Sequence, residues 1–471
     1  MPRVRRLHGA QHLQGGRRHQ VRRRRVRSYH LGGQEVARLN VTVVGGGLAG
    51  CEAALTLAGY GAAVTLFDIK PQALTPAHGN PQLCELVCSN SLKSNDPASA
   101  AGLLKAELRR LHSFVLAAAD KTAVQSGGAL AVDRAAFAAA VTAAVHGNPR
   151  ITVVCGEVTD VAALPRPCIV ATGPLTTDAL SKSLTAFLGE GMLSFYDAAS
   201  PIVTAESIDP SYAFAGSRYG KGGKDYLNCP LEKPAYLTFY DALVAAETVP
   251  PKTFEPVSVF EGCMPIEVQA KRGRDAIRFG PLKPVGLTDE NGKKFYAVVQ
   301  LRAENADCTA YNLVGFQTNL TFPAQKRVFS MIPALHDAEF VRLGVMHRNT
   351  FVCAPRVLGD GFSCKADPDV YVAGQLSGVE GYVESIMSGR IAAESLWRRA
   401  QGKARFWQPP TTMLGALCSA VTCADPAHFQ PVNANFGLLP PLLSPAKQKT
   451  ERYAQYAARA ALDFITDHDA I

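Results

Sequence analysis

The sequence contains 12 cysteines but no pair with C-x-x-C spacing. Structural zinc sites and disulfide frameworks usually show paired or regularly spaced cysteines. We therefore predict neither a metal site nor a disulfide framework. Most of these cysteines are expected to be small buried hydrophobic side chains in a reducing compartment.

Long apolar segments are also missing. No run approaches the roughly 20 apolar residues of a membrane-spanning helix, and the N-terminus lacks the apolar core of a secretory signal. Of the 471 residues, 47% are hydrophobic and 19% are charged, which is typical of a globular protein with two or three domains. We therefore expect a cytoplasmic protein that does not bind a membrane.

Positive charge is concentrated at the N-terminus. Residues 1–38 contain eleven arginines and one acidic residue, a net charge of +10, which leaves the rest of the chain at −1 out of a total of +9. This segment has almost no apolar periodicity, so we predict a basic disordered extension over 1–38. It could be an RNA-binding arm, a transit-like peptide, or a non-native extension from an upstream start codon.

The most informative stretch covers residues 39–68. Asn40–Val44 is a short β-branched apolar run, which predicts a buried parallel strand. The G-x-G-x-x-G spacing of dinucleotide-binding loops follows at once, in Gly45, Gly46, Gly47, Leu48, Ala49 and Gly50. A helix over 48–58 would point its N-terminal N–H groups at a pyrophosphate. A second strand over 63–67 ends at Asp68, whose carboxylate would accept hydrogen bonds from ribose hydroxyls. Because such a strand normally opens its domain, we favour the non-native origin of residues 1–38.

Two later turns extend this nucleotide-binding pattern. A short strand over 168–171 leads into Gly173, and a strand beginning at Val370 leads into Gly374 and Gln375. Between them, from about residue 201, the chain changes to aromatic and basic loops and strands. We predict an α/β fold in which a Rossmann-like FAD-binding domain of the glutathione-reductase type (39–200 and 328–471) is interrupted by an inserted α+β substrate domain (201–327).

Several longer blocks carry a family resemblance. The segments VTVVGGGLAG, ELVCSNSLKS, GGALAVDR, ATGPLT, DYLNCP, AKRGRDAIRFGPLKPVGL and AGQLSGVEGYVES look like successive signatures of the folate- and FAD-dependent tRNA (uracil-5-)-methyltransferase family, from about residue 41 to residue 463. Two features depart from the family pattern. The basic N-terminal 38 residues have no counterpart, and Asp68 stands where a glutamate is more usual.

The resemblance implies an activity and its partners. It implies transfer of a one-carbon unit from 5,10-methylenetetrahydrofolate to C5 of the T-loop uridine of tRNA, with FAD as cofactor and NADH or NADPH as reductant. Uracil C5 is a poor nucleophile, and addition of a thiolate at C6 turns the ring into an enolate that can attack the carbon donor. The protein must therefore supply a thiol near the flavin and a surface that binds tRNA (T-arm).

Two cysteines match functional positions of the family. Cys229 lies in the block YLNCP with Lys221 and Lys224 nearby in sequence, and neighbouring cations favour a thiolate. Cys88 lies in VCSNS, between an apolar turn and a polar one. The resemblance implies that one attacks uracil C6 and the other works close to the flavin. We favour Cys229 as the nucleophile.

Four cations are candidate RNA contacts, namely Lys271, Arg272, Arg274 and Arg278. Phosphate contacts would give salt-dependent affinity, whereas interspersed acids also fit a solvated face with internal ion pairs. A further basic group, His347-Arg348-Asn349, is a candidate for facing folate or flavin, and Tyr382 and Glu384 are candidates for contacting the flavin.

Three other functions compete with this one. The other flavin- and folate-using tRNA modifier acts on the wobble uridine, but it is much longer and lacks the ATGPLT and LNCP blocks. A small-molecule flavin disulfide reductase would use Cys84 and Cys88, whose three-residue gap is wrong for the usual redox pair. A non-catalytic flavin-containing RNA-binding protein would be favoured only if Cys88 and Cys229 were both absent.

Overall fold

The computed structural model describes residues 39–75, 77–220, 222–250 and 264–466. The predictions for residues 1–38 and for Lys221 therefore lie outside the described residues. Within those ranges the strands are Asn40–Val44 (β1), Ala63–Asp68 (β2), Ser91–Ser94 (β3), Ala123–Val124 (β4), Ala129–Val132 (β5), Ile151–Cys155 (β6), Cys168–Val170 (β7), Leu193–Ala198 (β8), Ile202–Thr204 (β9), Phe214–Ala215 (β10), Tyr226–Leu231 (β11), Ala297–Ala303 (β12), Ala310–Leu313 (β13), Phe340–Arg342 (β14), Met346–Phe351 (β15) and Val370–Val372 (β16).

The helices in the same ranges are Leu48–Gly59 (α1), Ala100–Arg110 (α2), Phe114–Lys121 (α3), Arg134–His146 (α4), Asp178–Leu188 (α5), Lys233–Val244 (α6), Ile266–Ala270 (α7), Phe322–Phe329 (α8), Ala354–Val357 (α9), Tyr382–Ala400 (α10), Met413–Thr422 (α11) and Lys449–Asp463 (α12). None of them combines the length and the apolar character needed to cross a membrane.

A parallel five-stranded sheet organises the first part of the molecule, with strand order β16-β7-β1-β2-β6. In β1, four of the five residues are buried, as expected for a strand covered on both faces. The carboxyl ends of β1, β2, β7 and β16 meet at one edge, where open α/β sheets bind their ligands. The prediction of an α/β fold with a Rossmann-like sheet is confirmed.

An antiparallel six-stranded sheet, β10-β11-β12-β13-β9-β14, lies between β7 and β16 in sequence. It has its own apolar core, which includes Val203, Phe239, Phe316 and Leu335. The domain boundaries stay a prediction. The predicted boundary at residue 327 falls inside α8, and the sheet itself extends to Arg342.

Local signals explain where several helices begin. The Ser99 hydroxyl accepts a hydrogen bond from the Gly102 N–H and so starts α2, and the Asp133 carboxylate accepts from the Ala136 N–H at the start of α4. Such side chains satisfy N–H groups that have no partner within the helix. The start of α1 differs, because no side chain caps it.

Candidate active site

The glycine loop between β1 and α1 has the geometry that its spacing predicts. Gly45 has a φ of +103°, and a Cβ on it would lie 2.5 Å from the Ala171 carbonyl oxygen. A Cβ on Gly50 would lie 1.8 Å from the Gly45 carbonyl oxygen, so only glycine lets α1 approach the loop this closely. Beside Gly47, by contrast, a Cβ would meet no atom within 4 Å. The uncapped first N–H groups of α1 and the open space at Gly47 form a cradle that fits a pyrophosphate.

Asp68 ends β2 beside this loop. Its carboxylate accepts hydrogen bonds from the Gly46 N–H at 2.5 Å and from the Lys70 N–H at 2.8 Å. These bonds fix the carboxylate at the rim of the cradle. Each carboxylate oxygen can accept more than one hydrogen bond, so the predicted contact with ribose hydroxyls stays compatible with this arrangement.

A cavity of about 1140 Å³ lies along the carboxyl edge of the parallel sheet. It is lined by most of the predicted cofactor residues: Gly45, Gly46, Gly47, Leu48, Ala49, Asp68, Gly173, Gly374 and Gln375. Gly50 does not line it and acts instead through the close packing of α1. A cavity lined by a phosphate cradle and by glycine turns after β7 and β16 fits FAD.

A second cavity of about 990 Å³ adjoins the first and contains Cys88. The two cavities share four lining residues, Val87, Pro174, Gln375 and Tyr382, so they lie side by side, and we call them together the cleft. The Cys88 N–H donates to the Tyr382 hydroxyl oxygen at 2.8 Å, and the thiol lies 3.9 Å from the Ala198 carbonyl oxygen. The structure therefore places Cys88 beside the predicted cofactor cavity.

Acidic side chains also line this second cavity, and sequence reasoning missed Asp197 and Glu380 among them. Burial, followed by the charge of Asp197, raises the pKa of Glu380 to about 8, and Gln375 donates a hydrogen bond to its carboxylate. The Glu384 carboxylate pairs with Lys93 at 3.4 Å. The only sequence signal for Glu380 was its place in the glycine-rich block that follows β16.

Cys229 occupies a different environment from the one we predicted. It lies in β11, is fully buried in the core of the six-stranded sheet, and lines neither of the two cavities. Burial raises the pKa of its thiol to about 12. Lys224 pairs with Glu290 at 3.0 Å on the exposed surface. The expectation that nearby cations favour a Cys229 thiolate is wrong for this conformation, because the strand turns the side chain into an apolar core.

Cys84 does not pair with Cys88. It is buried beside Cys51, and burial together with a hydrogen bond to Cys51 raises the pKa of its thiol. All the cysteines in the described ranges are free. This arrangement disfavours the disulfide-reductase interpretation.

The four candidate RNA-binding cations divide into two groups. Lys271, Arg272 and Arg274 are exposed, and Arg274 lies 3.6 Å from Asp241. Arg278 instead folds back onto the protein, where it donates to the Tyr296 carbonyl oxygen at 2.9 Å and lies over the Tyr296 ring. The first three are therefore placed to meet an anionic partner, and Arg278 has an internal role in this conformation.

Comparison with known proteins agrees with this architecture. The sequence model of the family described as GIDA, glucose inhibited division protein A, matches residues 40–404. The structure of Aquifex aeolicus GidA in its form II crystal is similar in fold, with a TM-score of 0.65 over 91% of this chain and 73% of that chain, at 16% identity.

Curated relatives are much closer in sequence. The methylenetetrahydrofolate--tRNA-(uracil-5-)-methyltransferase TrmFO of Geobacter sulfurreducens is 54% identical over 430 residues, which is 91% of this chain and 98% of that protein. The protein of the same name from Heliobacterium modesticaldum is 52% identical over 423 residues, 90% of this chain and 96% of that protein. The chain therefore belongs to the methylenetetrahydrofolate--tRNA-(uracil-5-)-methyltransferase TrmFO family.

Proposed function

We propose that this protein transfers a one-carbon unit from methylenetetrahydrofolate to C5 of a uridine in tRNA, with FAD as cofactor, and so forms 5-methyluridine. The observation that carries this proposal is the 54% identity, over almost the full length of both chains, with a relative named for that reaction. We also propose the T-loop uridine of the T-arm as the target and NADH or NADPH as the source of reducing equivalents.

The residues of the first cavity hold FAD in this proposal. The glycine loop and the start of α1 bind the pyrophosphate, Asp68 accepts from the ribose, and Gly173, Gly374 and Gln375 line the wall of the cavity. When bound and reduced, FAD supplies the hydride that converts a one-carbon unit at the methylene level into a methyl group.

The two cysteines have different roles in this proposal. Cys229 attacks uracil C6 as the thiolate: its sulfur forms a bond to C6, and the C5=C6 π pair shifts towards the C4 carbonyl oxygen as an enolate. After C5 has taken up the one-carbon unit, the C5 proton is lost and the C6–S bond breaks, which restores the C5=C6 double bond and releases the thiolate. Cys88 lies in the cleft beside the cofactor cavity and works next to the flavin. Because Cys229 is buried in this conformation, its attack requires the core of the six-stranded sheet to open when tRNA binds.

The exposed cations after α7 bind tRNA phosphates in this proposal. Lys271, Arg272 and Arg274 lie on the same six-stranded part of the molecule as Cys229. Their contribution to affinity is expected to fall as the salt concentration rises, because binding releases condensed counterions.

A labelled-carbon assay tests the function. Purified protein with FAD is incubated with unmodified tRNA, methylenetetrahydrofolate labelled in its methylene carbon, and NADH or NADPH, and the tRNA is then digested to nucleosides. Label is expected in 5-methyluridine with the wild type and with Cys308→Ala, a matched control at an exposed cysteine. Label is expected to be absent with Cys229→Ala and with Cys88→Ala.

Two results would contradict the proposal. Protein that contains FAD and oxidises NADH or NADPH but leaves tRNA unlabelled would remove the methyltransferase function. Full activity of Cys229→Ala would remove only the assignment of the nucleophile.

A further inference from the structure

Residues 86–90, which we call the Cys88 segment, are held by three arginines. Each donates a hydrogen bond of 2.6 or 2.7 Å to the segment: Arg134 to the Leu86 carbonyl oxygen, Arg342 to the Val87 carbonyl oxygen, and Arg302 to the Ser89 hydroxyl oxygen. Arg302 also donates to the Asn90 side-chain oxygen at 2.7 Å. Every residue of the segment except Cys88 is thus bound directly by a guanidinium group.

The three arginines come from different parts of the fold. Arg134 begins α4, whereas Arg302 and Arg342 lie in β12 and β14 of the six-stranded sheet. Arg302 in β12 pairs with Tyr226 in β11, and β11 is the strand that carries Cys229. The Cys88 segment is therefore bound both by a helix outside the six-stranded sheet and by two strands of that sheet. One of these strands, β12, pairs with β11, which carries Cys229.

The arginines around the segment differ in whether they are paired with a carboxylate. Arg134 forms an ion pair with Glu304, while Arg302 binds the neutral side chains of Ser89 and Asn90. Arg302 is only 7% exposed. Burying a cation without a paired carboxylate is costly, so such cations are retained where another interaction offsets the cost.

The hydrogen bonds to the Cys88 segment provide that interaction. Burial lowers the pKa of Arg302 and of Arg342, so keeping these guanidinium groups charged inside the protein is costly. Their hydrogen bonds to Val87, Ser89 and Asn90 offset part of that cost.

Other ionisable groups also face this region. The Tyr382 hydroxyl accepts from the N–H groups of both Cys88 and Ser89. The other ionisable groups around the segment are Glu85, Glu304 and four side chains that line the second cavity, namely Lys93, Asp197, Glu380 and Glu384.

We propose that Arg134, Arg302 and Arg342 are positioning residues for Cys88, which fix the Cys88 segment so that the thiol faces the cleft. Its relevance to methyl transfer rests on the proposed function. The geometric claim does not, because it concerns only the reactivity of one thiol in the FAD-loaded protein.

Alkylation of the holoenzyme tests this inference. Wild type, Arg342→Lys and Arg342→Gln are treated with iodoacetamide at about pH 8, and each cysteine is quantified by peptide mass mapping. The alkylation rate of Cys88 is expected to fall several-fold in Arg342→Gln, because the segment no longer holds the thiol towards the cleft, and to stay near the wild-type rate in Arg342→Lys, which can still donate to the Val87 carbonyl oxygen. The exposed Cys308 and Cys423 serve as internal references whose rates should not change.

A Cys88 alkylation rate in Arg342→Gln equal to the wild-type rate would overturn the proposal. If Arg342→Gln does not retain FAD, the pair Arg302→Lys and Arg302→Gln is judged by the same criterion. The assay contains neither tRNA nor folate, so its outcome is separate from that of the methyl-transfer assay. Methylation of tRNA by the wild type, together with an unchanged Cys88 rate in the variants, would retain the function and remove the positioning role.

Discussion

The two cysteines that we propose to act in catalysis differ in the parts of the fold that hold them. Cys88 lies on an irregular segment between sheets, where backbone and side chains are bound by arginines and the thiol faces a cleft. Cys229 lies inside a regular strand whose alternate side chains point into an apolar core. A loop can present a side chain to a ligand without loss of packing, whereas a core strand can do so only after the core opens.

The largest expected effect concerns the cleft itself. Gly50→Ala should weaken FAD binding about 100-fold, about 3 kcal/mol, because the new Cβ would overlap the Gly45 carbonyl oxygen and displace the phosphate cradle. FAD affinity is measured by quenching of flavin fluorescence. The matched control is Gly128→Ala, whose Cβ meets no atom within 4 Å. Unchanged affinity in Gly50→Ala would show that the cradle does not hold the cofactor.

The contrast between the two thiols can be measured directly. In the free holoenzyme at neutral pH, iodoacetamide should modify Cys88 about 100-fold faster than Cys229, because the latter is buried and its pKa is raised to about 12. Saturating unmodified tRNA should increase the rate at Cys229. Equal alkylation rates at the two cysteines without tRNA would contradict the predicted difference in their accessibility. An unreactive Cys229 in the presence of tRNA would argue against opening of the core.

A third prediction concerns the pH dependence of stability in the cleft. The pKa of Glu380 is raised to about 8, so the folded state holds its proton more tightly than the unfolded state does. The free energy of unfolding should therefore fall as the pH rises from about 4.5 to about 8. Glu380→Gln should remove this fall, a difference on the order of 1 to 3 kcal/mol at high pH, measured by urea unfolding at several pH values. The same slope in wild type and variant would mean that Glu380 titrates normally.

The smallest effect is expected at the exposed cations. Lys271→Ala and Arg274→Ala should each weaken tRNA binding a few-fold and should each reduce the slope of log affinity against log salt by about 0.7 to 0.9. Filter binding at several salt concentrations measures both quantities. The matched control is Lys182→Ala, which changes an exposed lysine of α5, outside the six-stranded sheet. If the slope of log affinity against log salt changes equally in the control, the surface that binds tRNA lies elsewhere.

Regular elements were the most predictable part of the structure. The predicted strand Asn40–Val44 is confirmed with both ends unchanged, and α1 ends one residue later than the predicted 48–58. These elements carry their own signal, an apolar run followed at once by spaced glycines. The strand predicted over 168–171 ends one residue earlier, at Val170.

By itself the sequence determined the nucleotide-binding unit, its place in an α/β fold and the family, because glycine spacing and strand periodicity act over a few neighbouring residues. Only the tertiary structure decided which thiol is accessible and which charges surround it. Lys224, which is near Cys229 in sequence, pairs with Glu290 on the exposed surface, and the arginines that bind the Cys88 segment are 48 to 255 residues away in sequence from the groups they contact. Electrostatic environment depends on distance in space, and packing of distant strands sets that distance.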